Sequence, residues 1–304
     1  MKNMPNNAGR SPWISEDKTS LMNSSHDENQ ARAVEKILSG EDAEMVDMTM
    51  AQLRSQKDRH AELIRRLAQI GSPKVRSRAR IILRFWEDLK ISENAPAQRT
   101  TDFATWEDLE RFCWQLAEIE SPGMDLKKSK AYMEELGVQV EMNLPQRSIS
   151  PSDSIAALRE VLARREGFRG NLQDYFDPAN SYLHRVLETR LGIPLTLALV
   201  YIFAGQRAGL DVYGINTPGH YLAGIGGVIF DPFHGAGVMS ADDLAAKFGT
   251  DRLSWANPMH LRATPRSTAE RMLINLLNSY SRRGDEARHS RIVSYLQMIE
   301  ESFV

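Results

Sequence analysis

The spacing of apolar residues divides the chain into a helical first part, a mixed middle part and a helical end. In the first part, residues 29–145, apolar side chains recur at helical spacing, as Ala61, Ile64, Leu67 and Ala68 show. Apolar residues three and four positions apart lie on one face of an α-helix. The pattern therefore predicts a set of amphipathic helices in this part.

Glycine, proline and hydroxyl residues predict where several of these helices begin and end. Gly71-Ser-Pro73 ends one helix and starts the next, and the pair resembles a HEAT-like helical hairpin, although no repeat period follows. A helix over Phe103–Ile119 has Thr105 as its expected N-cap. A further helix over Asp125–Leu136 is expected to close at Gly137.

The middle part, residues 154–240, follows a Ser- and Pro-rich linker over residues 145–153 and mixes helices with strands. Helices are predicted over Ile155–Arg165, Ser181–Arg190 and Pro194–Ala208, and strands over Val212–Asn216, Tyr221–Ile225 and Val228–Phe230. The helix that starts at Pro194 is apolar on all sides, which is typical of a helix buried in a core.

Two glycines between apolar runs, Gly226 and Gly227, predict a tight β-hairpin. With a two-residue turn, Ile225 faces Val228, and extending the same register places His220 opposite Phe233. Asp231 then lies two positions from Phe233 on the same face. Diagonal neighbours are roughly 7–8 Å apart at the backbone, so the two side chains can meet. The hairpin therefore predicts a hydrogen bond between His220 and Asp231.

The two ends of the chain differ in character. Residues 1–28 are rich in Asn and Ser, with too little apolar surface to fold, and are expected to be a disordered tail. Residues 241–304 return to a helical pattern. In them, Thr268–Tyr280 and Ala287–Glu301 are predicted to form an antiparallel pair.

Composition narrows the class of protein. The chain has 304 residues, of which 42% are hydrophobic and 26% charged, as in ordinary globular proteins. Its formal charge of −2 gives no reason to expect a nucleic-acid or membrane partner. Cys113 is the single cysteine, and no signal-peptide pattern is visible, so a cytoplasmic location is expected.

Four short motifs carry a family resemblance: Tyr175-Phe-Asp-Pro-Ala-Asn-Ser-Tyr-Leu183, Arg190-Leu-Gly-Ile-Pro194, Pro218-Gly-His-Tyr-Leu222 and Asp231-Pro-Phe-His-Gly235. In this order they resemble the transglutaminase-like superfamily and, within it, the SirB branch. The resemblance implies an α+β fold with a papain-like core, in which a buried helix packs on a small antiparallel sheet. It also implies a helical N-terminal part and tetratricopeptide-like helices at the C-terminus.

For the catalytic members of the superfamily, the resemblance implies a cysteine at the N-terminus of the buried helix, a histidine on one strand and an aspartate on the next. A helix N-terminus lowers a thiol's pKa, and an aspartate-oriented histidine accepts its proton. His220 and Asp231 match the histidine and the aspartate. Pro194 stands at the cysteine position, with Thr196 as the nearest hydroxyl, a pattern that the resemblance attributes to the SirB branch.

Other residues near these motifs have both structural and functional interpretations. Asn180 is expected to cap the helix over 181–190 and also to line the cleft, where the resemblance places it. Gly219 is expected to permit either close approach of the backbone or an unusual backbone angle, and His234 to lie in an exposed loop at the rim of the cleft. His184 and Glu188 are one turn apart and are interpreted as a surface pair, so no metal site and no cofactor are predicted.

Two functional hypotheses remain. The first is a non-catalytic interaction or regulatory module with a protein partner, because Pro194 replaces the nucleophile and helices frame the core. The second is a weak hydrolase or acyl-transfer enzyme that uses His220 and Asp231 with Thr196 or a bound water. In either case, His220 and Asp231 have an alternative interpretation as a buried structural pair.

Overall fold

The computed structural model describes residues 29–94, 103–121, 124–146, 149–249 and 261–301. The tail predicted over residues 1–28 lies outside the described residues. The described chain is mostly helical and includes one four-stranded antiparallel sheet and a separate pair of two-residue strands. This is the α+β architecture that the sequence predicts, with an all-helical N-terminal part.

The helices and strands are numbered in chain order. The helices are α1 (29–39), α2 (Ala43–Ser55), α3 (Lys57–Ile70), α4 (Pro73–Asn94), α5 (Trp106–Glu120), α6 (Lys127–Met142), α7 (Pro151–Leu158), α8 (Leu183–Thr189), α9 (Pro194–Arg207), α10 (Ala241–Phe248), α11 (Pro265–Arg283) and α12 (Glu286–Glu301). The strands are β1 (Arg169–Gly170), β2 (Leu191–Gly192), β3 (Tyr213–Thr217), β4 (His220–Ile225), β5 (Val228–Asp231) and β6 (Gly237–Met239).

Helices α1 to α4 pack around an apolar cluster of their own, which runs from Val34 to Trp86. The predicted hairpin of α3 and α4 is present, with its turn at Gly71. Farther along, Thr105 caps α5 by accepting a hydrogen bond from the Asp108 backbone N–H, and the Asp108 carboxylate accepts one in return. The capping residue predicted for this helix is therefore confirmed.

Helix α9 is the centre of the main core. This core runs from Phe103 to Ile299 and includes side chains of α5, α6, α8, α11 and the sheet. Every residue of α9 from Pro194 to Gly205 is buried. The prediction of a buried apolar helix that begins at Pro194 is confirmed.

The sheet has the strand order β3-β4-β5-β6, and all its strands are antiparallel. Ile225 pairs with Val228 across Gly226 and Gly227, both of which have positive φ angles, as the predicted two-glycine turn requires. Tyr221 and Phe230 face the main core, whereas Leu222 and Ile229 belong to a smaller apolar cluster with Leu244 of α10. The sheet therefore lies between α9 and α10.

Gly137 does not end a helix, contrary to the prediction. Helix α6 continues through it to Met142, and Gly137 lies where α6 packs against Arg207 of α9. A Cβ atom at this position would lie 2.3 Å from the Cβ atom of Arg207, closer than two carbon atoms can approach. Glycine is present here for close packing rather than for a turn.

Three further segments differ from or extend the predictions. Helix α7 starts at Pro151, within the predicted linker, and continues as a π-helical segment over Arg159–Arg165. The antiparallel pair predicted near the C-terminus is present as α11 and α12, which join at Gly284. No helix in the described part of the chain is long and apolar enough to cross a membrane.

Candidate functional site

His220 is placed by a tight turn between β3 and β4. It is the first residue of β4 and pairs with Thr217, the last residue of β3. Between them, Gly219 has a φ angle of 71°, and the Thr217 hydroxyl donates a hydrogen bond of 2.7 Å to the His220 carbonyl. Arg271 of α11 donates to the Thr217 carbonyl at 2.7 Å and holds the turn from outside. Of the two roles predicted for Gly219, the unusual backbone angle is confirmed, whereas no described atom beyond its chain neighbours lies within 4 Å of the position that a Cβ atom would take there.

Asp231 ends β5 at the point where the chain leaves the sheet. Pro232 starts a short 3-10 turn over Pro232–His234, and the Asp231 Oδ1 atom accepts a hydrogen bond of 3.1 Å from the Phe233 backbone N–H. This turn brings the His234 ring back toward the Asp231 carboxylate. Asp-Pro at a strand end therefore places Asp231 and His234 side by side.

The other carboxylate oxygen of Asp231, Oδ2, accepts three hydrogen bonds. The donors are His220 Nε2 at 2.9 Å, His234 Nδ1 at 2.8 Å and Lys247 Nζ at 2.9 Å. Because an ionised carboxylate can only accept, each imidazole donates its N–H here. In a neutral imidazole, His220 Nδ1 and His234 Nε2 are then the unprotonated nitrogens. We call these four side chains the Asp231 cluster.

Burial and charge act in opposite directions on Asp231. Burial raises the pKa of its carboxyl group, but the hydrogen bonds from His220, His234 and Lys247 outweigh burial. The pKa of Asp231 therefore lies well below its ordinary range, and the group is a carboxylate at neutral pH. Asp231 is almost fully buried, whereas the His234 side chain is 54% exposed and that of Lys247 is 35% exposed. Asp231 therefore holds the cluster in the protein interior, and His234 and Lys247 lie on the side that is open to solvent.

Aromatic rings surround His220. The Phe233 ring centre lies 5.9 Å from that of His220 and 5.0 Å from that of His234, and Phe248 of α10 lies 6.1 Å from His220. Gly170 leaves room for Phe233, because a Cβ atom at position 170 would lie 2.4 Å from the Phe233 ring. These contacts restrict the positions that the His220 ring can take.

The predicted contact between His220 and Asp231 is confirmed, but the register extended to Phe233 is wrong. The β4–β5 ladder stops at the pair Ala223 and Phe230. Pro232 has no N–H to continue the ladder, and the chain turns out of the sheet there. The hydrogen bond forms because the Asp231 side chain points back toward His220 from the strand end.

The start of α9 lies on the same side of the core as the Asp231 cluster. Gly192, two residues before Pro194, pairs with Gly170, which contacts Phe233. Pro194 occupies the first turn of α9, and Thr196 is fully buried. The Thr196 hydroxyl has no hydrogen-bond partner among the described residues. The contact between Thr196 and His220 that a hydroxyl mechanism needs is therefore not formed.

Asn180 is not a helix cap. Asp177 caps the local turn instead, by accepting a hydrogen bond from the Ala179 backbone N–H. The Asn180 side chain is buried and donates to the backbone carbonyls of Asp174 and Tyr175. The backbone carbonyl of Asn180 accepts a hydrogen bond from the Ile193 N–H just before α9. Asn180 therefore ties the preceding loop to the start of α9.

The loop that Asn180 holds exposes apolar side chains, a feature that the sequence pattern does not predict. Leu172 is 77% exposed, and Tyr175 and Phe176 are exposed as well. We call these three residues the aromatic loop. The Tyr175 ring lies 6.1 Å from Phe233, and the guanidinium of Arg282 lies 3.9 Å over the Phe176 ring. The aromatic loop thus continues the surface of the Asp231 cluster.

His184 is not part of a surface pair, contrary to the prediction. Its ring is buried, and its Nε2 atom lies 2.8 Å from a carboxylate oxygen of Glu120, whereas Glu188 pairs with Arg185. Cys113 is also buried, with its sulfur 3.7 Å from that of Met272. Burial raises the pKa of the Cys113 thiol, which keeps it neutral and unreactive.

The segment that carries the site is similar in sequence to a known family. Residues 127–274, from α6 into α11, match the family model of the Transglutaminase-like superfamily. The matched segment contains the whole Asp231 cluster and the start of α9.

Curated relatives with this similarity are described as UPF0162 proteins. One from Xylella fastidiosa is 36% identical over 119 residues, which are 38% of this chain and 41% of that protein. One from Vibrio cholerae is 29% identical over 120 residues, 37% of this chain and 44% of that protein. The chain thus spans less than half the length of these relatives.

A shorter stretch is similar to part of an animal protein. F-box only protein 21 of Homo sapiens is 35% identical over 71 residues, which are 23% of this chain and 11% of that protein. No solved structure gives a significant match to this chain.

Proposed function

We propose that this chain is a SirB-type transglutaminase-like protein that lacks cysteine-dependent catalysis and acts as a protein-interaction or regulatory module in the cytoplasm. The observation that carries the proposal is Pro194 in the first turn of α9, where the resemblance places the nucleophile. Proline offers no group to attack a carbonyl. The single cysteine, Cys113, is buried in α5 and cannot substitute for it.

Exposed apolar surface supports a binding role. Contiguous exposed apolar side chains beside a cleft are typical of interaction sites. The aromatic loop provides such side chains, and Tyr175 joins them to Phe233 between the two histidines of the Asp231 cluster. Arg282 adds a cation beside Phe176. The proposed partner is a protein segment with apolar side chains that pack on this loop.

The lengths of the segments shared with other proteins also support the proposal that this domain is an interaction module. The segment similar to F-box only protein 21 is 11% of that protein, whereas the UPF0162 relatives share a longer stretch. A domain that occurs inside proteins of different length is typical of a reused unit. The helices before and after the domain, which we propose to be HEAT-like and tetratricopeptide-like, would extend the binding surface.

A photo-crosslinking experiment in cells tests the binding role. A photo-reactive amino acid is placed at Phe176, and at Ile70 as a control, because Ile70 is exposed on α3 in the N-terminal part. We expect one protein to crosslink at position 176 and not at position 70. Leu172→Asp should abolish that crosslink without unfolding the chain. Equal crosslinking at both positions, or a crosslink that Leu172→Asp leaves unchanged, would contradict the proposal.

A second candidate function is a weak hydrolase or acyl-transfer enzyme. The observation that favours it is the hydrogen bond of 2.9 Å from His220 Nε2 to Asp231, which leaves Nδ1 available as a base. The base would activate either a bound water or the Thr196 hydroxyl, the latter only after Thr196 becomes accessible to substrate.

Activity measurements on ester and thioester substrates separate these routes. If the chain is a hydrolase or acyl-transfer enzyme, His220→Ala should abolish turnover. His289→Ala, on α12, should not change it. Thr196→Ala should remove activity only if the hydroxyl is the nucleophile. Absence of turnover by the parent protein, or full activity of His220→Ala, would exclude this candidate.

A further inference from the structure

Three side chains of the Asp231 cluster place suitable metal ligand atoms close together. One ligand atom from each of His220, Asp231 and His234 lies within 4.8 Å of the others. Two histidines and one carboxylate form a common donor set for zinc and similar metal ions. Nothing in the spacing of positions 220, 231 and 234 along the chain predicts this group, which explains why the sequence analysis expected no metal.

The separations of these atoms are close to those of a metal site. His220 Nε2 and His234 Nδ1 lie 2.9 and 2.8 Å from the same Asp231 oxygen. In a tetrahedral zinc site with bonds of about 2.0–2.1 Å, neighbouring ligand atoms are roughly 3.3 Å apart. Because the ligand atoms lie within 4.8 Å of one another, exchange of the two hydrogen bonds for metal bonds needs shifts of at most about 1.5 Å. It also needs the proton of each neutral imidazole to move to the other ring nitrogen, which leaves His220 Nε2 and His234 Nδ1 unprotonated for the metal. We infer that His220, Asp231 and His234 bind a divalent transition metal ion, with Zn²⁺ as the best match.

The ligands are held by the fold. Asp231 is fixed through its Oδ1 atom by the Phe233 backbone N–H, so its Oδ2 atom can bind the ion in place of its present donors without loss of this anchor. His220 is fixed at the start of β4 between Phe233 and Phe248. Such support lowers the entropy lost when ligands bind a metal.

The site is open to solvent on one side. His234 is more than half exposed, so the ion can enter from this side, and water can fill the remaining coordination positions. An open site with three protein ligands exchanges metal more readily than a closed four-ligand site. The inferred site is therefore a binding site for an exchangeable ion and does not depend on the proposed protein-binding role.

Lys247 competes with the metal for Asp231. Its ammonium donates to the same Oδ2 atom at 2.9 Å and supplies the positive charge that the ion would bring. The side chain is flexible and partly exposed at the end of α10, so it can move into solvent. Lys247 and the ion thus occupy one position alternately, and removal of the lysine should strengthen metal binding.

Calorimetric titration of the full chain with Zn²⁺ tests the inference, with Co²⁺ absorption as a report of coordination geometry. We expect one ion per chain and the strong visible absorption of a four- or five-coordinate cobalt site. His234→Ala should weaken binding by roughly tenfold or more, and Lys247→Ala should strengthen it severalfold. His289→Ala is the matched control and should change nothing.

His234→Ala is the decisive variant, because the exposed ring can be removed without loss of the fold, which circular dichroism checks. The inference is overturned if the parent protein binds no Zn²⁺ at millimolar concentration. It is also overturned if His234→Ala binds the ion as the parent does. Unchanged or weaker binding by Lys247→Ala would refute the shared position of lysine and metal.

Discussion

The two ends of α9 lie near two charged clusters that are built in opposite ways. At the C-terminal end, the buried Arg207 guanidinium donates to Glu134 at 2.9 Å and to both oxygens of Glu110 at 2.9 and 3.0 Å. One cation is shared by two carboxylates there. On the side where α9 begins, one carboxylate oxygen of Asp231 accepts from three donors, two of which are partly exposed.

The difference shows which cluster can exchange partners. The Arg207 side chain is only 7% exposed, and each of its nitrogens has a partner within the core, so any change leaves a buried charge uncompensated. In the Asp231 cluster, the side chains of His234 and Lys247 are already partly exposed to water, so each can leave Asp231 and remain hydrated. The first cluster is suited to joining α5, α6 and α9, and the second to binding.

Replacement of Arg207 should have the largest effect. Arg207→Met leaves Glu110 and Glu134 without their buried partner, and we expect unfolding to become easier by about 3–5 kcal/mol. Urea denaturation measures this loss. Arg164→Met is the control, because Arg164 is exposed and solvent screens its pair with Glu160, so the loss should be far smaller. Similar losses of unfolding free energy for the two variants would contradict the idea that burial makes the Arg207 cluster more important for stability than an exposed ion pair.

Replacement of Asp231 should have an intermediate effect. Asp231→Asn keeps the shape of the side chain but removes the charge that three donors share, and we expect a loss of about 1–3 kcal/mol. His220→Ala should cost a similar amount if the pair is structural. Little loss, or a gain, for both variants would instead indicate that the pair is kept for binding or chemistry.

The loss in Asp231→Asn should depend on pH. Because the folded-state pKa of Asp231 is depressed, its contribution to stability is present above the unfolded-state pKa of about 4. It disappears as the pH falls from there through the folded-state pKa. The difference in unfolding free energy between the parent and Asp231→Asn should therefore be full at pH 7 and shrink below about pH 4. A difference that grows on acidification would contradict this charge assignment.

Replacement of Lys247 should have the smallest effect on stability. Its ion pair with Asp231 lies at the open side of the cluster, and Lys247→Ala should change the unfolding free energy by less than about 1 kcal/mol. Thermal and urea denaturation both measure this change. A loss as large as that of Asp231→Asn would mean that the lysine holds the cluster together and is not a replaceable partner.

The sequence is sufficient to predict those features that depend on local chemistry. A long apolar run after proline predicts buried α9, and two adjacent glycines predict the turn and register of β4 and β5. That register also predicts the contact between His220 and Asp231, but the contact forms through the Asp231 side chain at the strand end, beyond the last pair of the ladder. These features need only the geometry of one element or of two adjacent ones.

Features that depend on contacts between distant elements could not be predicted in this way. Lys247 reaches Asp231 from α10, and Arg207 meets Glu110 across 97 positions of sequence. His184 is buried because α5 lies over α8, which its own helical pattern does not reveal. Strand β6 has three residues and starts with glycine, too short a pattern to predict a strand.

The close approach of α6 and α9 at Gly137 reverses an ordinary rule of protein engineering. In an exposed helix, exchange of glycine for alanine stabilises by up to about 1 kcal/mol, because alanine has the higher helix propensity. In α6 the added methyl group would meet the Arg207 Cβ atom, which cannot move aside as a flexible side-chain end would. Gly137→Ala should therefore destabilise the protein, and homologous chains that keep this helix pair should tolerate no larger residue there.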